Sequence, residues 1–189
     1  MNNTYDYQVL NLTEDFYLHY PSPPFTELVS KEQRPYNCLL IQSHYDYFIC
    51  IPYRSSITHR YAFKFRKSER SKKTKSGLDY TKTVIIKDST FISDKDAIVD
   101  SDEYSETRQH IDRIVSDATG YVDEYVKYVK GEATDLSEQE FKRKYDFSTL
   151  QYFHNELGIP EETHVEEENS ALNSVSTNEG STSIKTSTP

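Results

Sequence analysis

The sequence predicts an α+β fold: an antiparallel sheet, then a long amphipathic helix and further short helices. Three observations predict it. Two apolar runs, at residues 36–42 and 45–52, are split by two or three polar residues, the pattern of a β-hairpin. Shorter strand-like runs follow at residues 61–65 and 81–87. After Asp102 the apolar residues change to three- and four-residue steps, the period of a helix lying on a core. A length of 189 residues suits one domain, placed at residues 1–159, with residues 160–189 as a tail. Hydrophobic residues make up 35% and charged ones 28%, so the core is modest and leans on 16 Tyr and 9 Phe.

Taken in order, residues 5–10 alternate as a strand, and residues 16–20 are a second short strand candidate. Pro21-Ser22-Pro23-Pro24 breaks the chain, because proline fixes φ and removes a donor, and residues 25–29 suit a helical turn. The hairpin runs are almost wholly apolar at their centres, which predicts strands covered on both faces. Pro52 cannot donate to a ladder and is expected to end or bulge its strand. Cys38 and Cys50 lie in these runs without metal-ligand spacing; they read as reduced core thiols of a cytosolic protein, a disulfide across neighbouring strands being the lesser alternative. Residues 61–65 alternate with Lys64 outward. Residues 66–76 hold no apolar residue and are expected to be a loop, mobile without its partner. Gly77 to Tyr80 closes that loop, residues 81–87 form a strand around Val84-Ile85-Ile86, and Phe91-Ile92 and residues 97–99 add edge pairings.

The helical period from Asp102 to Val129 predicts one helix of about seven turns, capped by Ser101 and ended by Gly131. Gly120 within it marks a bend or a close contact. Ser137 and Glu140 form a capping-box pattern that opens a second helical region, divided at residues 146–149 and ended by Gly158-Ile159-Pro160. Beyond Pro160 the chain is Ser, Thr, Asn and Glu, too polar to offset its chain entropy, and is expected to be disordered and acidic. No apolar run approaches the roughly 20 residues of a membrane helix. The first residues lack the regions of a signal peptide, so a cytoplasmic location is expected.

Charge is unevenly spread. The formal net charge is −9, yet residues 47–87 hold eleven of the 22 Lys and Arg against two acids, about +9. A dense cation run between strands asks for a polyanion. Phosphate contacts from Lys64, Arg66, Lys67, Arg70, Lys72, Lys73, Lys75 and Lys82 would be largely independent of base sequence and sensitive to salt. None of the six His pairs with another His or a Cys at metal-ligand spacing, and no glycine-rich phosphate loop or serine nucleophile elbow is present. Neither a metal nor a cofactor is expected.

The remaining chemistry lies at Arg54-Ser55-Ser56-Ile57-Thr58-His59-Arg60. Metal-free RNA cleavage needs a base for the ribose 2′-hydroxyl, cations for the five-coordinate phosphate and a proton donor for the leaving 5′-oxygen. Arg54 or Arg60 suits the phosphate, Ser55 or Ser56 a non-bridging oxygen, and His59 the proton, since only histidine titrates near neutrality without help. The plainer alternative is a solvated turn of ordinary turn residues.

The order of an apolar hairpin, Ile-Pro-Tyr-Arg-Ser-Ser-Ile-Thr-His-Arg-Tyr-Ala-Phe, a basic loop, Ser-Gly-Leu-Asp-Tyr-Thr-Lys-Thr-Val-Ile-Ile-Lys and a long helix resembles the toxins of type III toxin–antitoxin systems. The CptN-like branch, related to ToxN and the phage-abortive AbiQ proteins, is the nearest, and residues 144–154 are similar to it as well. The resemblance covers residues 32–159. It implies a compact, strongly bent antiparallel sheet like the barrel of the Kid and MazF toxins, and a metal-independent cut through a 2′,3′-cyclic phosphate. It also implies a pseudoknot RNA antitoxin, which the toxin processes from a repeat transcript and with which it closes into a ring-like assembly. The family's Thr-Ser or Ser-Ser pair falls on Arg54-Ser55 or, one residue on, Ser55-Ser56. Arg34 takes the place of its earlier cation. Ile57 stands where the family has a lysine, so the general acid and base stay open. The rivals are a non-catalytic RNA-binding module, needing only the cations and Tyr platforms, and a protein-interaction factor working through its acidic tail.

Overall fold

The computed structural model describes residues 7–28, 37–43 and 45–160. Arg34, His44 and the acidic tail beyond residue 160 lie outside them. Among the described residues the architecture is α+β, with seven antiparallel strands and five α-helices. Strand β1 (Tyr7–Leu12) is followed by helix α1 (Glu14–His19), then β2 (Cys38–Gln42), β3 (Phe48–Arg54), β4 (Ala62–Lys64), α2 (Glu69–Thr74), β5 (Gly77–Asp79), β6 (Val84–Ile86) and β7 (Ile92–Asp96). Helices α3 (Ser101–Gln109), α4 (Ile111–Val129) and α5 (Glu138–Tyr145) complete the order. The strands run β4-β5-β3-β2-β1-β7, with β6 also on β3. The sheet is not closed into a barrel.

The predicted hairpin is β2–β3, in register from Cys38↔Pro52 to Gln42↔Phe48. Pro52 does not end its strand, and the register shows why. Tyr53 N–H donates to the Asn37 carbonyl (2.9 Å), so the nitrogen of Pro52 points to the opposite edge, because successive N–H groups alternate. On that edge β6 pairs with Phe48 to Cys50, and β5 with Tyr53 and Arg54. Pro52 sits between these partners, where no ladder bond is required of it. The same register corrects the expectation of free thiols. Cys38 lies opposite Pro52 and Cys50 opposite Leu40, so the two are diagonal neighbours on one face, 5.7 Å apart at Cα, and form a disulfide. Apolar patterning places both cysteines in strands but does not align them.

Helices replace two other expectations. Residues 16–20, read as strand, lie largely in α1; Phe16 is its buried anchor and packs against Tyr20 at 5.0 Å between ring centroids. The single seven-turn helix is two helices, broken at His110, whose φ of −121° is not helical and whose N–H turns back to Thr107 at 3.1 Å. The apolar period runs on across the break and hides it. Gly120 is ordinary helix, with nothing within 4 Å of where a Cβ would stand. Asp100, not Ser101, caps α3, accepting from the N–H groups of Asp102 and Glu103. Helix α4 buries Ile114, Val115, Ala118, Tyr121, Val122 and Tyr125 along one stripe, and Gly131, at φ +70°, takes the left-handed turn that stops it. The capping box at Ser137 and Glu140 opens α5 as expected, and Gly158 (φ +61°) turns the chain after it. Of the edge runs, β7 begins at Ile92, while residues 97–99 stay outside the strands. No helix among the described residues is long and apolar enough to cross a membrane.

Candidate active site

Strand pairing assembles the site. Arg54 ends β3 opposite Gly77 of β5, and Asp79, two residues further along β5, shares their face. Asp79 is fully buried. Its Oδ1 accepts from the Thr81 N–H (3.0 Å) and hydroxyl (2.7 Å), so the turn that follows fixes the carboxylate. Its Oδ2 accepts from Arg54 Nη1 at 2.5 Å. The loop joining β3 to β4 brings His59 back over the same carboxylate, with Nε2 3.4 Å from Oδ1. Burial works to raise the Asp79 pKa, but the bonds from His59 and Thr81 and the nearby Arg54 charge outweigh it and hold the carboxyl below its ordinary range. His59 Nδ1 is enclosed and has no hydrogen-bond partner among the described residues. An unsatisfied buried nitrogen costs about 1–3 kcal/mol. The His59 ring lies near parallel to Tyr61, 6.3 Å away.

Ser55 and Ser56 are placed from the other side, by α2. The expected loop of residues 66–76 carries this helix instead. Ser68 caps it, accepting from the Ser71 N–H (2.9 Å), and Lys75 ends it in the left-handed region. The helix was hidden because its packing is polar. Ser68, Ser71 and Ser76 are buried along it, and Ser68 and Ser76 meet Glu103, one of two buried carboxylates of α3. Glu103 accepts from Ser68 Oγ (3.1 Å), from Ser76 Oγ and from Arg70 Nη1 (2.7 Å). Glu106 accepts the backbone N–H groups of Arg66 and Lys67. Arg70 Nη2 in turn donates to Ser55 Oγ at 2.9 Å, leaving the hydroxyl proton for another acceptor. The N–H groups of Ser56 and Ile57 bond the carbonyls of Thr74 and Lys75 (2.6 and 3.2 Å).

Ser56 adopts φ +60°, a left-handed conformation that costs an L-residue about 1–2 kcal/mol, of which glycine's greater chain entropy recovers part. Its side chain is exposed. Ser56→Gly is therefore expected to stabilise the protein by about 0.5–1 kcal/mol, read as a rise in melting temperature.

The structure thus brings Arg54 and His59 together on Asp79, while Ser55 is bonded to Arg70 and Ser56 is tied through its backbone to the end of α2. Arg66, Lys67, Lys72, Lys73 and Lys75 are exposed on α2 and its flanks, with Lys64 and Arg70 half-buried. Lys67 reaches Gln109 (2.6 Å), and Lys72 pairs with Glu69 (2.7 Å). Arg60 is exposed, its guanidinium 5.2 Å from the Tyr61 ring centre. Lys82 is the correction: it is buried, and its ammonium is bonded to Glu27 and the Phe147 carbonyl (2.7 Å), so it faces the interior rather than a polyanion. Sequence reasoning missed Asp79, Glu103 and Glu106. The first looked like a loop residue and the others like helix charges. The Ser68-Glu69 start signal for α2 was readable.

The arrangement offers a carboxylate-held imidazole, a hydroxyl that accepts from a guanidinium, and two arginines, each paired with its own buried carboxylate. Among the described residues, no group of three or more His, Cys, Asp or Glu side chains is placed to hold a metal ion. Comparison with models of protein families, with characterised proteins and with solved structures finds no match to this chain.

Proposed function

We propose that the protein is an endoribonuclease toxin of the type III kind, cutting RNA without a metal and inhibited by a pseudoknot RNA that it processes. One observation carries the reading. His59 is held by the buried Asp79 in the same turn that bears Ser55, and that turn is bonded to the cation-bearing α2. In the proposed reaction the loop shifts on RNA binding so that His59 Nδ1, enclosed in the free protein, meets the ribose 2′-hydroxyl and takes its proton. The 2′-oxygen bonds to phosphorus, the bond to the 5′-oxygen breaks, and that oxygen takes up a proton from solvent. Arg54 and the Ser55 hydroxyl meet the non-bridging oxygens as charge grows on them. The exposed cations of α2 hold the strand on either side.

The finer likeness to the Kid and MazF toxins belongs to this proposal. An antiparallel sheet with its site at the end of a central strand supports it, and the open edges are a departure. So do a ring-like assembly with the antitoxin RNA and a cytoplasmic place of action, where cellular RNA is met. The Cys38–Cys50 bridge is 1% and 0% exposed, closed off from reducing thiols.

The test is incubation of purified protein with single-stranded RNA in EDTA. Cleavage should persist, leave 2′,3′-cyclic phosphate ends and stop when the scissile nucleotide is 2′-deoxy. His59→Ala should slow it by a factor on the order of 10²–10⁴. RNA that is bound but left intact by the soluble wild type would replace this reading with a non-catalytic RNA-binding module.

A further inference from the structure

We infer that Glu103, remote from the reacting atoms, is a positioning residue that sets the Ser55 hydroxyl through Arg70; this deepens the ribonuclease reading and rests on it. Glu103 is wholly buried in the first turn of α3. Burying a carboxylate is costly unless donors meet it, and here three do. Two of them, Ser68 and Ser76, stand at the two ends of α2 and are neutral. They would clamp the helix to a neutral acceptor as well. The third, Arg70, is the one that calls for charge.

The guanidinium spans two sites. Nη1 meets Glu103 at 2.7 Å and Nη2 meets Ser55 Oγ at 2.9 Å. A planar fork ties these bonds together, so orienting one end orients the other. The Arg70 side chain is 36% exposed, and without the buried anchor nothing in these bonds would keep it from turning to water. Held as it is, it occupies a lone pair of Ser55 and directs the hydroxyl proton elsewhere. The bonds from Ser56 and Ile57 to the end of α2 fix the backbone that carries Ser55. Glu103 thereby joins the RNA-gripping helix and the reactive loop into one unit.

Titration of an introduced thiol tests this without RNA. Cys38 and Cys50 are bonded to each other and are the chain's two cysteines, so the thiol of Ser55→Cys is the one group open to alkylation. Beside an oriented guanidinium it should titrate about one unit or more below the ordinary value near 8.5. Adding Glu103→Gln should raise it again by about one unit, because Arg70 is released. If Glu103 acted only through its negative charge, its removal would lower the thiol pKa further; that result, or no change, overturns the inference. Should Glu103→Gln not fold, Arg70→Lys keeps the ion pair and lacks a second nitrogen. It too should raise the thiol pKa, and no rise overturns the inference.

In RNA cleavage, Arg70→Lys should lower kcat about tenfold with KM nearly unchanged, and should add little to Ser55→Ala, as for residues acting through one another. Fully additive losses would sink the coupling. If wild type leaves RNA intact, the ribonuclease reading fails, while the thiol titration still decides whether Glu103 governs the setting of position 55.

Discussion

Replacing Asp79 by asparagine is expected to remove about 3 kcal/mol of stability at neutral pH and, in the proposed ribonuclease reaction, to slow cleavage by a factor on the order of 10²–10⁴, no more than the loss of His59 itself. The side chain is fully buried and meets four donors: the Thr81 N–H and hydroxyl, Arg54 and His59. An amide of the same shape keeps one acceptor oxygen. If that oxygen stays with Thr81, an NH₂ group faces the Arg54 guanidinium, donor against donor. If the amide flips, the Thr81 pair loses its acceptor instead. Arg54 and His59 are about a third exposed, so water softens the charge they lose, and the cost stays at the low end for a broken buried pair. The kinetic loss arises because a histidine without its carboxylate is free to adopt the wrong tautomer and orientation.

The pH dependence follows from the same bonds. The Asp79 carboxyl is held below its ordinary range in the folded protein, so the unfolded chain takes up the proton first as pH falls. The stabilisation is complete above the unfolded value near 3.9 and is lost as pH drops through the folded value. Thermal melts of wild type and Asp79→Asn should therefore differ most near pH 7 and converge in acid. An equal gap at pH 7 and pH 3 would show that the carboxylate's charge contributes nothing.

What the sequence disclosed follows the kind of packing each element uses. The β2–β3 hairpin, the α4 stripe and the α5 capping box were legible because apolar period and local capping specify them. Helix α2 was not, since its buried contacts are serines and an arginine meeting Glu103, from a segment some thirty residues on. The Arg54–His59 stretch stood out by composition, but its partner did not. Asp79 becomes part of the site only through the β3–β5 pairing, a long-range register that no local pattern encodes. Lys82 failed for the opposite reason. It sits in a cation-rich window, yet lies in the turn after β5, where its stem is buried and its head meets Glu27.

Gly77→Ala is the second large effect, expected to cost about 3 kcal/mol or more and to reduce activity beyond that loss. A Cβ at Gly77 would stand 2.3 Å from the Phe63 carbonyl oxygen and 3.0 Å from Lys64 Cα, both backbone atoms that cannot rotate away. Strands β4 and β5 must separate or slide to admit it. Gly77 also pairs with Arg54 across β5, so relief of the clash on one side strains the other. The loop bearing His59 ends in β4, and Asp79 lies two residues beyond Gly77 in β5. Any shift between these strands acts directly on the His59–Asp79 contact. Relative to Asp79→Asn, the signature differs: the loss should not fade in acid, because it is steric. Equilibrium unfolding at pH 7 and pH 3 measures this, and a stability within 1 kcal/mol of wild type, well under the expected cost, would show that β4 yields without disturbing its pairing.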